Sequence, residues 1–211
     1  MSIPCYFAEN WKESVNGADF SYAQTGFGLC SDGTARLNPC PFPALCVIDD
    51  SVLSSPDESA ILELAKHCGQ GCCFDFAKPV QSAHVLLLKG LSKHCKGLLV
   101  APPRFLPYAP GATPLLSCPS PCNSWISYVR SCHQRFPKGW ALELTPWRHI
   151  SPCRMKQAVG KLKSAICEYR CERGITQYYD TKETLREKIK YAEDNGCIAV
   201  IGLYSEWESL P

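Results

Sequence analysis

Gly71-Cys72-Cys73-Phe74-Asp75-Phe76-Ala77-Lys78-Pro79 reads as a short, nearly continuous apolar strand opened by glycine and closed by proline. A run with no polar face to offer water suits a parallel sheet covered on both sides. The same texture recurs outward. Upstream, Ala44-Leu45-Cys46-Val47-Ile48 stops at Asp49-Asp50. Ser55-Pro56-Asp57-Glu58 then starts a helix with Ile61, Leu62, Leu64 and Ala65 on one face. Downstream, an amphipathic helix over 82–95 leads to the strand Gly97-Leu98-Leu99-Val100-Ala101, stopped by Pro102-Pro103. The Pro- and Gly-rich segment 102–121 predicts a long loop. Trp125, Ile126, Tyr128 and Val129 mark another helix, and Trp140-Ala141-Leu142-Glu143-Leu144 another strand. A helix over 155–170, the strand Ile175-Thr176-Gln177-Tyr178-Tyr179, a helix over 181–193 and a strand over 197–203 complete the pattern.

This alternation gives six strand–helix repeats, and residues 3–7 and 26–30 supply two further strands. The predicted fold is therefore α/β: a minimal (β/α)8 TIM-type barrel, one domain over 1–211, with short or missing early helices. Its 211 residues lie near the floor of about 200 for that architecture. An open doubly wound sheet would need a Gly-rich phosphate turn, and Gly26-Phe27-Gly28 is not one.

A hydrophobic share of 45% with 20% charged residues excludes a disordered chain. The net charge of +2 carries no basic block, so neither nucleic acid nor an anionic membrane is an expected partner. No apolar run approaches the ~20 residues of a membrane helix. Met1-Ser2-Ile3-Pro4-Cys5-Tyr6 has neither the basic nor the apolar region of a signal peptide, so a cytoplasmic protein is expected. The 15 cysteines are an odd number without a CxxC pair. They are expected to be buried, reduced thiols, with no metal site and no cofactor.

In a barrel, chemistry sits at the C-terminal ends of the strands. Those ends supply Glu9, Asn10 and Trp11, then Asp49 and Asp50, Asp75, Arg104, Glu143 and Trp147. The last two predicted strands add Tyr178, Tyr179 and Asp180, then Tyr204, Glu206 and Trp207. Carboxylates beside aromatic faces suit a sugar ligand. Asp75 and Glu143 are the catalytic candidates, since a carboxylate inside an apolar strand is costly unless it is paired or used. Trp11, Asp49, Trp147, Tyr179, Asp180, Glu206 and Trp207 are the ligand-binding candidates. Plainer roles compete: Asp180 as a helix N-cap, Tyr178 and Tyr179 as barrel layers, Trp125 as helix core.

The order of these pieces resembles the family 18 glycoside hydrolases, the chitinase-type barrels, over roughly residues 44–207. Residues 71–79 look like a worn form of the family's fourth-strand signature, Asp-x-x-Asp-x-Asp-x-Glu followed by Tyr-Pro, with Asp75 on its last Asp and Pro79 on its Pro. Leu99-Val100-Ala101-Pro102-Pro103 is similar to its fifth strand, and Glu143-Leu144-Thr145-Pro146-Trp147 falls where the family has Met-x-Tyr-Asp. Gln177-Tyr178-Tyr179-Asp180, Lys188, Tyr191, Gly196 and Trp207 resemble its closing pattern. In that family the final Glu of the signature protonates the leaving oxygen, while the substrate's N-acetyl group attacks. Here that position is Ala77, and Cys73 stands at the preceding Asp. Loss of general acid catalysis typically forfeits ~10²–10⁴-fold in rate. The resemblance thus implies a chitinase-like protein that binds an oligosaccharide without the standard catalytic acid. Three alternatives stay open: a glycosidase with a relocated carboxylate (Glu143, Asp180 or Glu206 with Asp75), a structural or protein-interaction barrel, and cysteine-nucleophile chemistry.

Overall fold

The computed structural model describes residues 3–9, 21–29, 34–36, 44–50, 54–117, 124–153 and 157–210. The chain forms two compact units, Cys5–Leu116 and Met1–Pro4 with Ser117–Pro211.

The Cys5–Leu116 unit contains β1 (Cys5–Glu9), β2 (Ser21–Leu29), β3 (Ala35–Arg36), β4 (Leu45–Asp49), α1 (Glu58–His67), β5 (Gly71–Asp75), α2 (Ser82–His94) and β6 (Leu98–Ala101). A 3-10 helix (Pro103–Tyr108) and β7 (Thr113–Ser117) follow. Strands β1, β2, β4, β5, β6 and β7 pair in parallel, each with the next, and β3 lies antiparallel on β2. Leu45 to Ile48 and Gly71 to Phe74 are buried at every position, as covered parallel strands must be. Asp57 caps α1, its carboxylate accepting the Ala60 N–H at 2.7 Å. Ala60, Leu64, Leu87, Leu88 and Leu91 of α1 and α2 share one core with Ile48, Phe74, Phe76 and Phe105.

Two glycines let the β5 and β6 entries cross. Gly71 has φ +126°, and a Cβ there would lie 1.9 Å from the Leu98 carbonyl oxygen. A Cβ on Gly97 would lie 2.4 Å from the Gln70 backbone. The Leu98 N–H to Gln70 carbonyl bond, 3.0 Å, closes this crossing.

Within the predicted loop 102–121, the described residues 102–117 are not the structureless chain their prolines suggest. Pro103 opens a helical turn, where its fixed φ and missing N–H cost nothing, and Phe105 is fully buried. Pro114 sits near the start of β7, where a missing ladder donor is tolerated, and Leu115 is buried beyond it.

The unit containing Ser117–Pro211 carries α3 (Trp125–Arg135), β8 (Trp140–Leu144), β9 (Arg148–Pro152), β10 (Gln157–Leu162), β11 (Cys167–Glu172), β12 (Ile175–Tyr179), α4 (Lys182–Glu193), β13 (Cys197–Leu203) and α5 (Tyr204–Glu208). β8 and β13 pair in parallel. The helix expected over 155–170 is instead the β10–β11 hairpin, turning at 163–166 with Ile166 at φ 50°. Its apolar residues also match helical spacing, but Val159 is 68% exposed and cross-strand pairing decides the outcome. Residues 175–179 likewise form no parallel strand. They lie in an antiparallel sheet of order β10-β11-β12-β9, and the parallel strand between β6 and β8 in the chain is β7. Among the described residues no helix is long and apolar enough to cross a membrane, and no disulfide forms among the described cysteines, most of which are buried.

Candidate functional site

In the Cys5–Leu116 unit, Asp49 and Asp75 are register partners at the ends of β4 and β5. Asp75 is exposed rather than buried mid-strand, so the desolvation cost that singles it out in the sequence is not incurred. The buried acid is Asp50, the residue after Asp49, 4% exposed. Its carboxylate accepts the N–H groups of Ala77 (3.1 Å) and Lys78 (2.8 Å) and faces His84 Nε2 at 3.1 Å. His84 Nδ1 accepts the Gln81 N–H at 3.1 Å, so the proton sits on Nε2 and the ring donates to Asp50. Burial pushes the Asp50 carboxyl up, but the Lys78, Ala77 and His84 hydrogen bonds outweigh it and hold it below the ordinary range. On the other side, the Arg104 guanidinium donates to the Phe76 carbonyl. The turn that carries the exposed Ala77 is thus clamped from two sides.

Because the folded-state value of Asp50 is depressed, its contribution is complete above the unfolded value of about 3.9 and is lost as pH falls through the folded value. Asp50→Asn is expected to cost about 1.5–3 kcal/mol near neutrality and to flatten the acid limb of stability, measured by urea unfolding against pH. An unchanged acid limb would show that the clamp is not electrostatic.

In the other unit, Glu143 is half-buried near the C-terminal end of β8, level with Ile201 of β13. Ser117 Oγ donates to Glu143 Oε2 at 2.5 Å, and Tyr128 OH donates to the Ser117 carbonyl at 2.5 Å. Glu206, on α5 directly after β13, is half-buried beside them. Burial, followed by the Glu143 charge, pushes the Glu206 carboxyl above its ordinary value, against the opposing pull of Arg148. A cleft of about 360 Å³ opens here, lined by Pro146, Arg148, Ser205, Glu206 and Ser209. Arg148 Nη2 donates to Ser209 Oγ at 3.3 Å. Two carboxyls with unlike environments, next to a guanidinium and hydroxyls, can bond sugar hydroxyls, and such pairs can divide acid and base roles.

Glu143→Gln is expected to lower the Glu206 carboxyl toward its ordinary value, as followed by NMR titration. A raised carboxyl stabilises the fold through its retained proton. That contribution is lost as pH rises from the unfolded value through the folded one, and Glu206→Gln should remove this pH dependence.

Other sequence candidates are engaged inside the fold. Asp180 is 1% exposed. It accepts Lys188 Nζ at 2.7 Å on each oxygen, the Trp147 N–H at 2.9 Å and the Thr184 hydroxyl at 3.1 Å. It does not cap α4; Thr181 does, accepting the Thr184 N–H. Lys188, also 1% exposed, stands 4.0 Å over the Trp147 ring and 5.5 Å over Trp125. Trp147 and Trp207 are both buried, Trp207 beneath the Arg186 guanidinium, so neither is an open stacking platform. Tyr179 lies half-buried on the antiparallel sheet, its phenol pushed up by burial and then by Glu168. Trp11 lies outside the described residues. Sequence reading missed Ser117, hidden in the supposed loop, and Arg148, whose role depends on where β9 lies.

No protein-family model matches the sequence, and no match was found among curated proteins. Solved structures are similar in fold. A class V chitinase from Nicotiana tobaccum matches with a TM-score of 0.61 at 11% identity, over 98% of this chain and 95% of that one. The chitinase-like agglutinin RobpsCRA from Robinia pseudoacacia gives 0.61 at 11% identity, over 99% and 96%. The Bacillus cereus spore cortex-lytic enzyme SleL gives 0.58 at 9%, over 98% of this chain and 73% of that one. The chain therefore has the α/β TIM-type fold of the chitinase-like family 18 glycoside hydrolases.

Proposed function

We propose that this protein is a chitinase-like carbohydrate-binding protein that lacks the family's standard catalytic acid, and that its ligand is an oligosaccharide of N-acetylglucosamine type. The observation that carries this reading is the cleft of Arg148, Ser205, Glu206 and Ser209 beside the Glu143–Ser117 bond. Structures of similar fold support it: a mutant of the tobacco class V chitinase has been crystallised with NAG4 and a GH18 chitinase from Cycas revoluta with (GlcNAc)3. Ala77 cannot donate a proton, so the usual acid step has no donor at that place. Asp49 and Asp75 remain ligand candidates at the ends of β4 and β5.

A second reading has its own observation. The raised Glu206 carboxyl next to Glu143 has the character of a relocated general acid, which would make the protein an active glycosidase. Isothermal titration with an N-acetylglucosamine tetramer separates the readings when paired with an assay of chromogenic N-acetylglucosaminides. Binding without turnover, weakened about tenfold or more in Glu206→Gln and Arg148→Ala, is the expected result. Turnover abolished by Glu206→Gln would establish the relocated acid, and no binding would leave a structural barrel.

A further inference from the structure

Away from the acidic cleft, the Cys5–Leu116 unit gathers a group of sulfurs. Cys68 follows α1, Cys72 lies in β5 and Cys95 follows α2, and their Sγ atoms all lie within 4.8 Å of one another. Cys72 and Cys95 approach to 3.3 Å. Cys46 of β4 is the register partner of Cys72, and its thiol also adjoins that of Cys68. The Gly71–Gly97 crossing makes this convergence possible, because it draws the segments after α1 and α2 together.

A tetrahedral zinc site with Zn–S bonds of about 2.3 Å places its sulfurs about 3.8 Å apart, a spacing that Cys68, Cys72 and Cys95, all within 4.8 Å of one another, can reach with small side-chain movements. The helices α1 and α2 both end here, which brings Cys68 and Cys95 to the same place as Cys72. The carbonyls of Leu64, His67 and Cys68 face the sulfurs, accepting from Cys68 at 3.1 Å, Cys46 at 3.1 Å and Cys95 at 3.7 Å. Cys68 and Cys72 are buried, while Cys95 is half-buried and leaves a path of entry.

We propose that Cys68, Cys72 and Cys95, with Cys46 as the fourth sulfur, bind a single zinc ion as a structural centre. The ligand thiols give their protons to solvent as the metal binds, with no change of redox state. No CxxC pair announces the site, because its ligands come from two strands and two helix ends.

Cobalt(II) titration of the reduced, metal-stripped full chain tests this. One equivalent should produce thiolate-to-cobalt charge-transfer absorption and the intense visible bands of a tetrahedral site, both erased by zinc. Cys72→Ser and Cys95→Ser should each weaken uptake at least about tenfold, while Cys132→Ser, in the other unit, should not. Circular dichroism confirms that each variant is folded. If the reduced wild-type chain takes up no cobalt, the proposal fails whatever the variants do. It fails equally if folded Cys72→Ser and Cys95→Ser bind like wild type, or if a Cys72–Cys95 disulfide forms and no metal binds after its reduction.

Discussion

Lys188→Met is expected to destabilise the protein by about 3–5 kcal/mol, lowering Tm by about 6–20 °C. The methionine keeps the volume and apolar stem but removes the charge that satisfies both Asp180 oxygens. Asp180 would then stand as a buried carboxylate with only the Trp147 N–H and the Thr184 hydroxyl. Breaking one half of a buried pair costs far more than the pair contributes, because the remaining charge has lost its solvent and gained no partner. The double variant Lys188→Met/Asp180→Asn should recover part of the loss, since the amide oxygen still accepts the Trp147 N–H. Urea unfolding measures both. A loss below about 1 kcal/mol in the single variant would show that Asp180 reaches water or another cation.

Gly71→Ala should be the most damaging small substitution in the Cys5–Leu116 unit, at about 2–5 kcal/mol. Two costs combine. The backbone at φ +126° is a conformation that side chains rarely adopt, and the new methyl would overlap the Leu98 carbonyl. The β5–β6 pairing of Gly71 with Leu98 would have to open. Gly69→Ala is the control, since nothing lies within 4 Å of a Cβ there. If the two variants unfold at the same denaturant concentration, the crossing is looser than described.

The parallel strands β4, β5, β6, β8 and β13 were legible because each is a mostly apolar run without the regular polar alternation of a half-solvated strand. The β7 strand was not, because its prolines and glycines dominate a local reading although Leu115 is buried. The β10–β11 hairpin was hidden for a related reason: spacing that fits a helix also fits alternating strands, and only the partner strand selects. At the site, position was easier to read than role. Glu143 and Glu206 follow from strand ends, but the raised carboxyl of Glu206 depends on burial and on a charge that the fold brings beside it. Asp180 reads as a ligand from its place after a strand, yet Lys188, two turns along α4, takes both its oxygens. Asp50, which holds the Ala77 turn, draws its partners from 27 and more positions away.

The most direct test incubates the wild-type chain with an N-acetylglucosamine tetramer and follows protein and sugar together by native mass spectrometry. A complex with the intact tetramer that persists for hours without shorter sugars is the expected result. Release of dimer or monomer products that stops in Glu206→Gln would contradict the loss of catalysis, and a spectrum of unliganded protein alone would contradict carbohydrate binding.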